Sequence, residues 1–296
     1  MYSQLIEKIA EDEALPNNYV EDATNYFVPL VNFIAEKLAE SKTPLMIGIS
    51  GAQGTGKTTL SYLLTRLLTE RKFNIAKFSL DDFYLTKNQR KLLASEEHPL
   101  LKTRGVPGTH DTNLLLSKLE ELFNKTKNRT IEIPKFNKAT DERAPKSSWS
   151  KVYGAVDAIV MEGWFLGATP FDKEMLRDPI NELEKLEDAN GKWRKFINRQ
   201  LSGSYQKIFS QINLLVLLEA PSFNQVYDWR KLQEEKLRVR TPKTKANALM
   251  DEEQLFHFIQ HYERLTRHCL KILPDRADII FSLNPGHRIT TCSGLT

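Results

Sequence analysis

One stretch of this chain has the residue types and spacing to hold a polyphosphate. Gly51-Ala52-Gln53-Gly54-Thr55-Gly56-Lys57-Thr58 meets the pattern G-x-x-x-x-G-K-[ST] at every fixed position. The glycines permit backbone angles that other residues resist, so successive N–H groups can turn inward around an anion. A helical pattern follows, and the free N–H groups and dipole at its start favour negative charge. Lys57 is placed to reach the β- and γ-phosphates, and the Thr58 hydroxyl to bind Mg²⁺. The run from Gly51 through Thr59 is expected to bind a nucleoside triphosphate.

Two acids are candidates for the chemistry beyond that loop. Asp157-Ala158-Ile159-Val160-Met161-Glu162 is an apolar run closed by a carboxylate. An acid there can hold Mg²⁺ or orient the attacking group, although strand ends often carry an acid for the turn alone. With a phosphate loop upstream, Glu162 is the metal-side candidate beside Thr58. A second run, Phe73 to Leu80, ends in Asp81-Asp82-Phe83-Tyr84. Neighbouring side chains on an extended chain point to opposite sides, so these two carboxylates should differ in role. Asp81 is read as the base that takes a proton from an acceptor hydroxyl, and Asp82 as a cap or support. An Asx turn or helix cap would account for either.

These groups need a scaffold. Leu45 to Ile49, Phe73 to Leu80, Val156 to Met161, Leu214 to Leu218 and Asp278 to Leu283 read as strands. Helical spacing fills the intervals at 113–124, 179–209, 223–240 and 251–272. Upstream, Asn18 can cap a helix whose apolar face includes Val20, Phe27, Leu30, Ile34 and Leu38. Alternating apolar strands and helices imply a parallel sheet covered on both faces. At 296 residues the chain could hold two domains of about 150, but one α/β domain with insertions is expected, because the motifs span most of its length.

Beyond these motifs, three segments together resemble the plant-type glycerate kinases, a group related to phosphoribulokinase, uridine kinase and pantothenate kinase. They are the phosphate loop, Ser79-Leu80-Asp81-Asp82-Phe83-Tyr84-Leu85-Thr86, and Arg104-Gly105-Val106-Pro107-Gly108-Thr109-His110-Asp111. Further matches are Pro134-Lys135-Phe136-Asn137-Lys138, Glu162-Gly163-Trp164-Phe165-Leu166-Gly167, Asn198 with Leu201 and Tyr205, and Tyr227-Asp228-Trp229-Arg230 with Gln233 and Glu234. The likeness runs over roughly 44–285. Two departures stand in it: Phe136-Asn137 replaces a frequent Tyr-Asp, and Asp141-Glu142-Arg143 is one residue longer than the usual Asp-Arg pair.

The resemblance implies an α/β P-loop NTPase fold, three layers αβα about a mostly parallel sheet. It reads as one kinase domain over 1–296, with a helical extension at 1–43, a helical insertion near 170–210 and a lid near 225–250. It also implies an ATP-dependent, Mg²⁺-requiring kinase acting on a small hydroxylated metabolite, D-glycerate to 3-phosphoglycerate first. A nucleoside, pantothenate-like or sugar acceptor, or a non-catalytic ATP-binding regulator, are the other readings.

Residue by residue, it implies acceptor contacts from Asp81, Tyr84, Arg104, His110, Asp111, Lys135 and Glu162. Arg104 would offer a guanidinium fork to a carboxylate. The Arg104 loop could also be a structural turn whose Asp111 caps the next helix. Arg230 matches a lid arginine that stabilises charge on the transferring phosphate, with Glu234 one turn on to hold it. The basic run Arg230, Lys231, Lys236, Arg238 and Arg240 could equally be a solvated helix face, and Lys243 and Lys245 read as a mobile basic loop.

Composition narrows the partners. Lys plus Arg at 42 against Asp plus Glu at 38 gives a net charge of +4, too little to argue for nucleic acid. No apolar stretch approaches the roughly 20 residues that span a membrane. Two cysteines, Cys269 and Cys292, make no disulfide framework, so a cytoplasmic location is expected. Asn137-Lys138-Ala139-Thr140 misses the guanine pattern N-K-x-D. His257 and His261 lack the glutamate of H-E-x-x-H, so a zinc site is not expected. ATP and a small metabolite remain as partners, with a homo-oligomer left open.

Overall fold

A computed structural model describes residues 2–16, 18–124, 129–240 and 250–295, with backbone only for 236–240. Ten strands are described: β1 (Leu45–Gly51), β2 (Ile75–Ser79), β3 (Thr130–Ile133), β4 (Phe136–Asn137), β5 (Glu142–Arg143), β6 (Ser150–Tyr153), β7 (Ala158–Gly163), β8 (Leu214–Glu219), β9 (Ile279–Leu283) and β10 (Ile289–Ser293). The α-helices are α1 (Ser3–Asp12), α2 (Tyr19–Asp22), α3 (Val28–Glu40), α4 (Lys57–Glu70), α5 (Lys87–Glu96), α6 (Thr112–Phe123), α7 (Glu182–Glu187), α8 (Lys192–Gln200), α9 (Gln206–Phe209), α10 (Phe223–Arg240) and α11 (Glu252–Ile272).

The main sheet has the order β10-β9-β8-β1-β7-β2. β1 pairs in parallel with both β7 and β8, β2 is parallel to β7, and only β10 runs antiparallel. Alternation along the strands explains the two covered faces. Ile47, Ile49, Val160 and Val216 join α3 and α4 in one apolar cluster, while Met46, Ile159, Met161 and Leu217 join α6 and α11 in another. Each fully buried Leu or Ile there contributes about 1.5–3 kcal/mol of transfer free energy. A smaller cluster, with Trp193, Phe196 and Leu101, packs α8 against the segment before the Arg104 loop.

All five expected strands are present, extended, trimmed or shifted by up to two residues, and the α/β class with its mostly parallel sheet stands. Three expectations are corrected. The helix from Asn18 is interrupted by a π-helical turn at Ala23–Phe27, just before Pro29, whose missing N–H cannot continue the i→i−4 ladder. The helix expected at 179–209 is α7, α8, a π-helical turn at Leu201–Tyr205 and α9, with Gly191 in left-handed conformation (φ 71°) between α7 and α8. The edge strand β10 and the two small antiparallel pairs, β3 with β6 and β4 with β5, were not expected. No helix among the described residues is long and apolar enough to cross a membrane.

Candidate active site

The site lies beyond the carboxyl ends of β1, β7 and β2, where open parallel sheets bind ligands. β1, buried from Met46 onward, delivers its last residue, Gly51, into the phosphate loop, and Lys57 begins α4. Gly54 sits at φ +83°, and a Cβ there would fall 2.8 Å from Trp229 Cβ, so the loop needs glycine for both angle and space. Lys57 Nζ donates to Ala52 O at 2.8 Å and Thr55 Oγ1 donates to the same carbonyl at 2.9 Å. Burial pushes the Lys57 pKa down, while Glu162 and Asp81 pull it back up.

Glu162 closes the fully buried β7 and is itself 8% exposed. Thr58 Oγ1 donates to Glu162 Oε1 at 3.3 Å. A hydroxyl and a carboxylate side by side are the hard oxygens Mg²⁺ takes. Among the described residues no three His, Cys, Asp or Glu side chains gather for a metal. A cation at this pair would therefore draw its remaining ligands from phosphate and water.

After β2 the chain makes a 3₁₀ turn, Leu80–Phe83, closed by a capping box. Ser79 Oγ accepts from Asp81 N at 3.2 Å, and Asp82 Oδ2 accepts from Ser79 N at 3.0 Å. Lys135 Nζ adds a 3.0 Å ion pair to Asp82. Asp82 is thus spent on local structure, which leaves Asp81 to the cavity. Tyr84 Oη donates to Asp81 Oδ1 at 2.8 Å, and Lys138 Nζ donates to Oδ2 at 2.7 Å. Burial works to raise the Asp81 pKa, but Lys138, His110 and the Tyr84 bond outweigh it and hold the carboxyl below the usual range.

Arg104 reaches the same space. Its guanidinium pairs with Asp141, which also pairs with the buried Arg90, and it lies 5.6 Å from the Phe136 ring centroid. Gly105, at φ +136°, leaves room for Tyr262, whose Oη donates to Arg104 O at 2.8 Å. In the Asp141-Glu142-Arg143 stretch, Arg143 Nη2 bonds Asp111 Oδ2 at 3.0 Å while Asp141 fixes Arg104.

A cavity of about 310 Å³ gathers Gln53, Gly54, Lys57, Thr58, Asp81, Tyr84, Arg104, Glu162 and Arg230 on one wall system. Three residues read as acceptor contacts are not on it. His110 is buried behind Tyr84, stacked at 4.5 Å, with Nδ1 2.7 Å from Tyr205 Oη. Burial pushes its pKa down to about 4, against the opposing pull of Asp81, so it is neutral. Asp111 Oδ1 caps α6 by accepting from Leu114 N at 3.1 Å. Lys135 lines a neighbouring cavity of about 200 Å³. Within the loop, Thr55, Gly56 and Thr59 face a third cavity of about 280 Å³.

Sequence reasoning assigned no role to Lys138, Tyr262, Phe258 or Gln233, all on the wall of the main cavity. Lys138 and Gln233 both belong to segments that match the glycerate kinases, so a signal existed for them. Phe258 and Tyr262 sit at i, i+4 on α11 and read as ordinary core. Trp164 is also on this wall, with Nε1 donating to Gly105 O at 3.1 Å, while its neighbour Phe165 is fully buried in the core. On α10, Arg230 pairs with Glu234 at 2.8 Å, the i, i+4 contact the spacing predicts. Of the rest of the basic run, Lys231 pairs with Glu252 at 2.6 Å. The side chains of Lys236, Arg238 and Arg240, and the Lys243 and Lys245 loop, lie outside the described residues. His257 pairs with Glu187 at 2.7 Å, and His261 Nδ1 faces the carbonyls of His257 and Phe258.

Comparison with known proteins then decides the family. Residues 46–181 match the model of the phosphoribulokinase / uridine kinase family. The chain is 34% identical over 269 residues to the uncharacterized kinase mug58 of Schizosaccharomyces pombe, covering 83% of this chain and 93% of that protein. The chain belongs to the phosphoribulokinase / uridine kinase family. It is an ATP-dependent kinase of the P-loop type. The kinase is also 29% identical over 254 residues to the chloroplastic D-glycerate 3-kinase of Arabidopsis thaliana, covering 80% of this chain and spanning about half (52%) of that protein. In fold it is similar to the solved structure of D-glycerate 3-kinase from Cryptococcus neoformans, with a TM-score of 0.70 at 24% identity, over 89% of this chain and 97% of that one.

Proposed function

We propose that this kinase transfers the γ-phosphoryl group of ATP to the 3-hydroxyl of D-glycerate, giving 3-phosphoglycerate and ADP. The observation that carries the reading is one cavity of about 310 Å³ in which phosphate-loop residues face Asp81 and Arg104 directly. A cavity of that size, with a carboxylate and a guanidinium opposite a phosphate site, suits a small hydroxylated anion. The likeness to a plant D-glycerate 3-kinase supports the same acceptor.

In this reading Arg104 takes the glycerate carboxylate, held in place by Asp141 and by the Phe136 ring beneath it. Asp81 accepts the hydroxyl proton as the acceptor oxygen bonds to phosphorus and the bond to the ADP oxygen breaks. Each Asp81 oxygen has a second lone pair free beyond its bond to Tyr84 or Lys138. Lys57 leaves the Ala52 carbonyl for the phosphates, and Arg230, braced by Glu234, lies over the group in transfer. Mg²⁺ supplies neutralisation of charge on the β- and γ-phosphates, and Thr58 and Glu162 would hold it. Both cysteines are free, which suits the reducing, cytoplasmic location of this proposal.

The reading is tested by incubating the protein with ATP, Mg²⁺ and D-glycerate and assigning the product by phosphorus NMR. A phosphate on the 3-oxygen is expected; a phosphate on the 2-oxygen, or no phosphoglycerate, removes it.

A further inference from the structure

The turn between β9 and β10 grips the phosphate loop from outside. His287, in that turn, lies with Nε2 3.0 Å from Gly54 O. A carbonyl only accepts, so Nε2 carries the proton and donates. The peptide joining Gly54 to Thr55 is trans, so its N–H points away from its C=O. Thr55 N accordingly donates to Ala52 O at 3.4 Å. That same carbonyl accepts from Lys57 Nζ at 2.8 Å and from Thr55 Oγ1 at 2.9 Å. Three donors of the loop thus converge on one oxygen, whose place a phosphate oxygen can take.

Gly54 makes this peptide easy to turn over. At φ +83° and with no Cβ, the residue resists rotation on neither side. Turned over, the peptide would aim its C=O at the phosphates and withdraw the Thr55 N–H. The His287 bond opposes that reversal, because it forms only with the carbonyl on the outer side of the loop.

The donor is itself fixed. The His287 ring stacks on Trp229 at 4.2 Å, with 26° between the planes. Trp229 Nε1 donates to Pro285 O, in the same turn, at 2.9 Å. Next to His287, Arg288 Nε donates to the buried Asp22 at 2.9 Å, which ties the turn to the N-terminal segment. His287 sits at φ +62°, an angle that side chains hold only where their surroundings enforce it. Trp229 precedes Arg230, so this stack joins the phosphate loop, the turn and the helix that carries Arg230.

We propose that His287 is a positioning residue of this kinase: its Nε2–H holds the Gly54–Thr55 peptide so that the Thr55 N–H faces the triphosphate. It acts through the backbone rather than on the substrate. The inference rests on nucleotide binding by the phosphate loop and is independent of the acceptor.

Calorimetric titration of the full chain with ATP and with inorganic tripolyphosphate, each with Mg²⁺, reads the loop with and without a nucleoside. His287→Phe keeps a ring to stack on Trp229 and removes the donor. It should weaken both ligands by the same factor, about fivefold, with the Tm of the free protein held. His287→Gln loses the ring but carries an N–H at similar reach, so it should recover most of the affinity whatever its Tm. A merely structural turn would give the reverse order, with affinity following Tm. Unchanged tripolyphosphate affinity in His287→Phe, or a His287→Gln variant that binds no better than His287→Phe, would overturn the assignment. Loss for ATP alone would move His287 to the nucleoside end and overturn it equally. Wild-type protein that binds neither ligand would overturn the nucleotide reading itself, and this inference with it.

Discussion

Lys138 Nζ donates to Asp81 Oδ2 at 2.7 Å, and this contact decides the protonation of the proposed base. Burial alone would raise the Asp81 pKa; the lysine is the largest of the groups that reverse it. A depressed carboxyl is in its proton-accepting form above its pKa and loses it as pH falls through that value. In Lys138→Met the largest opposition to burial is gone, so the Asp81 pKa rises. The acid limb of the kcat/KM profile should therefore move to higher pH. An unmoved limb, or one shifted to lower pH, would separate Lys138 from the base.

Asp81→Asn keeps the shape of the side chain but cannot take a proton. ATP affinity should stay within about twofold, while turnover should fall by roughly 10²–10⁴. Isothermal titration beside single-turnover rates checks both halves, and a normal rate would remove Asp81 as base.

Arg104→Lys tests the anion contact. A lysine retains the charge but lacks the planar fork, and it cannot keep the same pairing with Asp141 and Phe136. The KM for D-glycerate should rise on the order of tenfold, with a smaller change in kcat and none in KM for ATP. Loss confined to kcat would place Arg104 elsewhere in the cycle.

Glu162→Gln removes the charge beside Thr58 while leaving a hydrogen-bond acceptor for its hydroxyl. The Mg²⁺ concentration for half-maximal turnover should rise several-fold, and ATP binding without Mg²⁺ should hold or improve as repulsion between carboxylate and phosphate is lost. An unaltered Mg²⁺ dependence would release Glu162 from the metal.

How far the chain could be read depended on whether a role is decided locally. Lys57, Thr58 and Glu162 follow from short patterns, because a phosphate loop and a strand-end acid are made by neighbours in sequence. Asp82 and Asp111 were legible as caps for the same reason: Asp82 bonds Ser79 N and Asp111 bonds Leu114 N, three residues away in each case. Asp111 and His110 as acceptor contacts depended instead on which side of a loop faces the cavity, and Tyr84 stands in front of His110. Lys138 and Tyr262 come from the loop of a two-strand hairpin and from a C-terminal helix, so only tertiary packing brings them to Asp81 and Arg104. β10 was missed because its middle residues, Thr290 and Thr291, are polar and exposed on an edge. An edge strand needs no apolar run to pair with β9.

The acceptor is the centre of the account. Steady-state ADP release by the wild-type protein, with ATP and Mg²⁺, should be measured against D-glycerate, L-glycerate, uridine, pantothenate and pentose phosphates in parallel. D-glycerate should give the highest kcat/KM, by at least about tenfold over each of the others. A higher value for uridine, pantothenate or a pentose phosphate, or release that no acceptor stimulates, would contradict it.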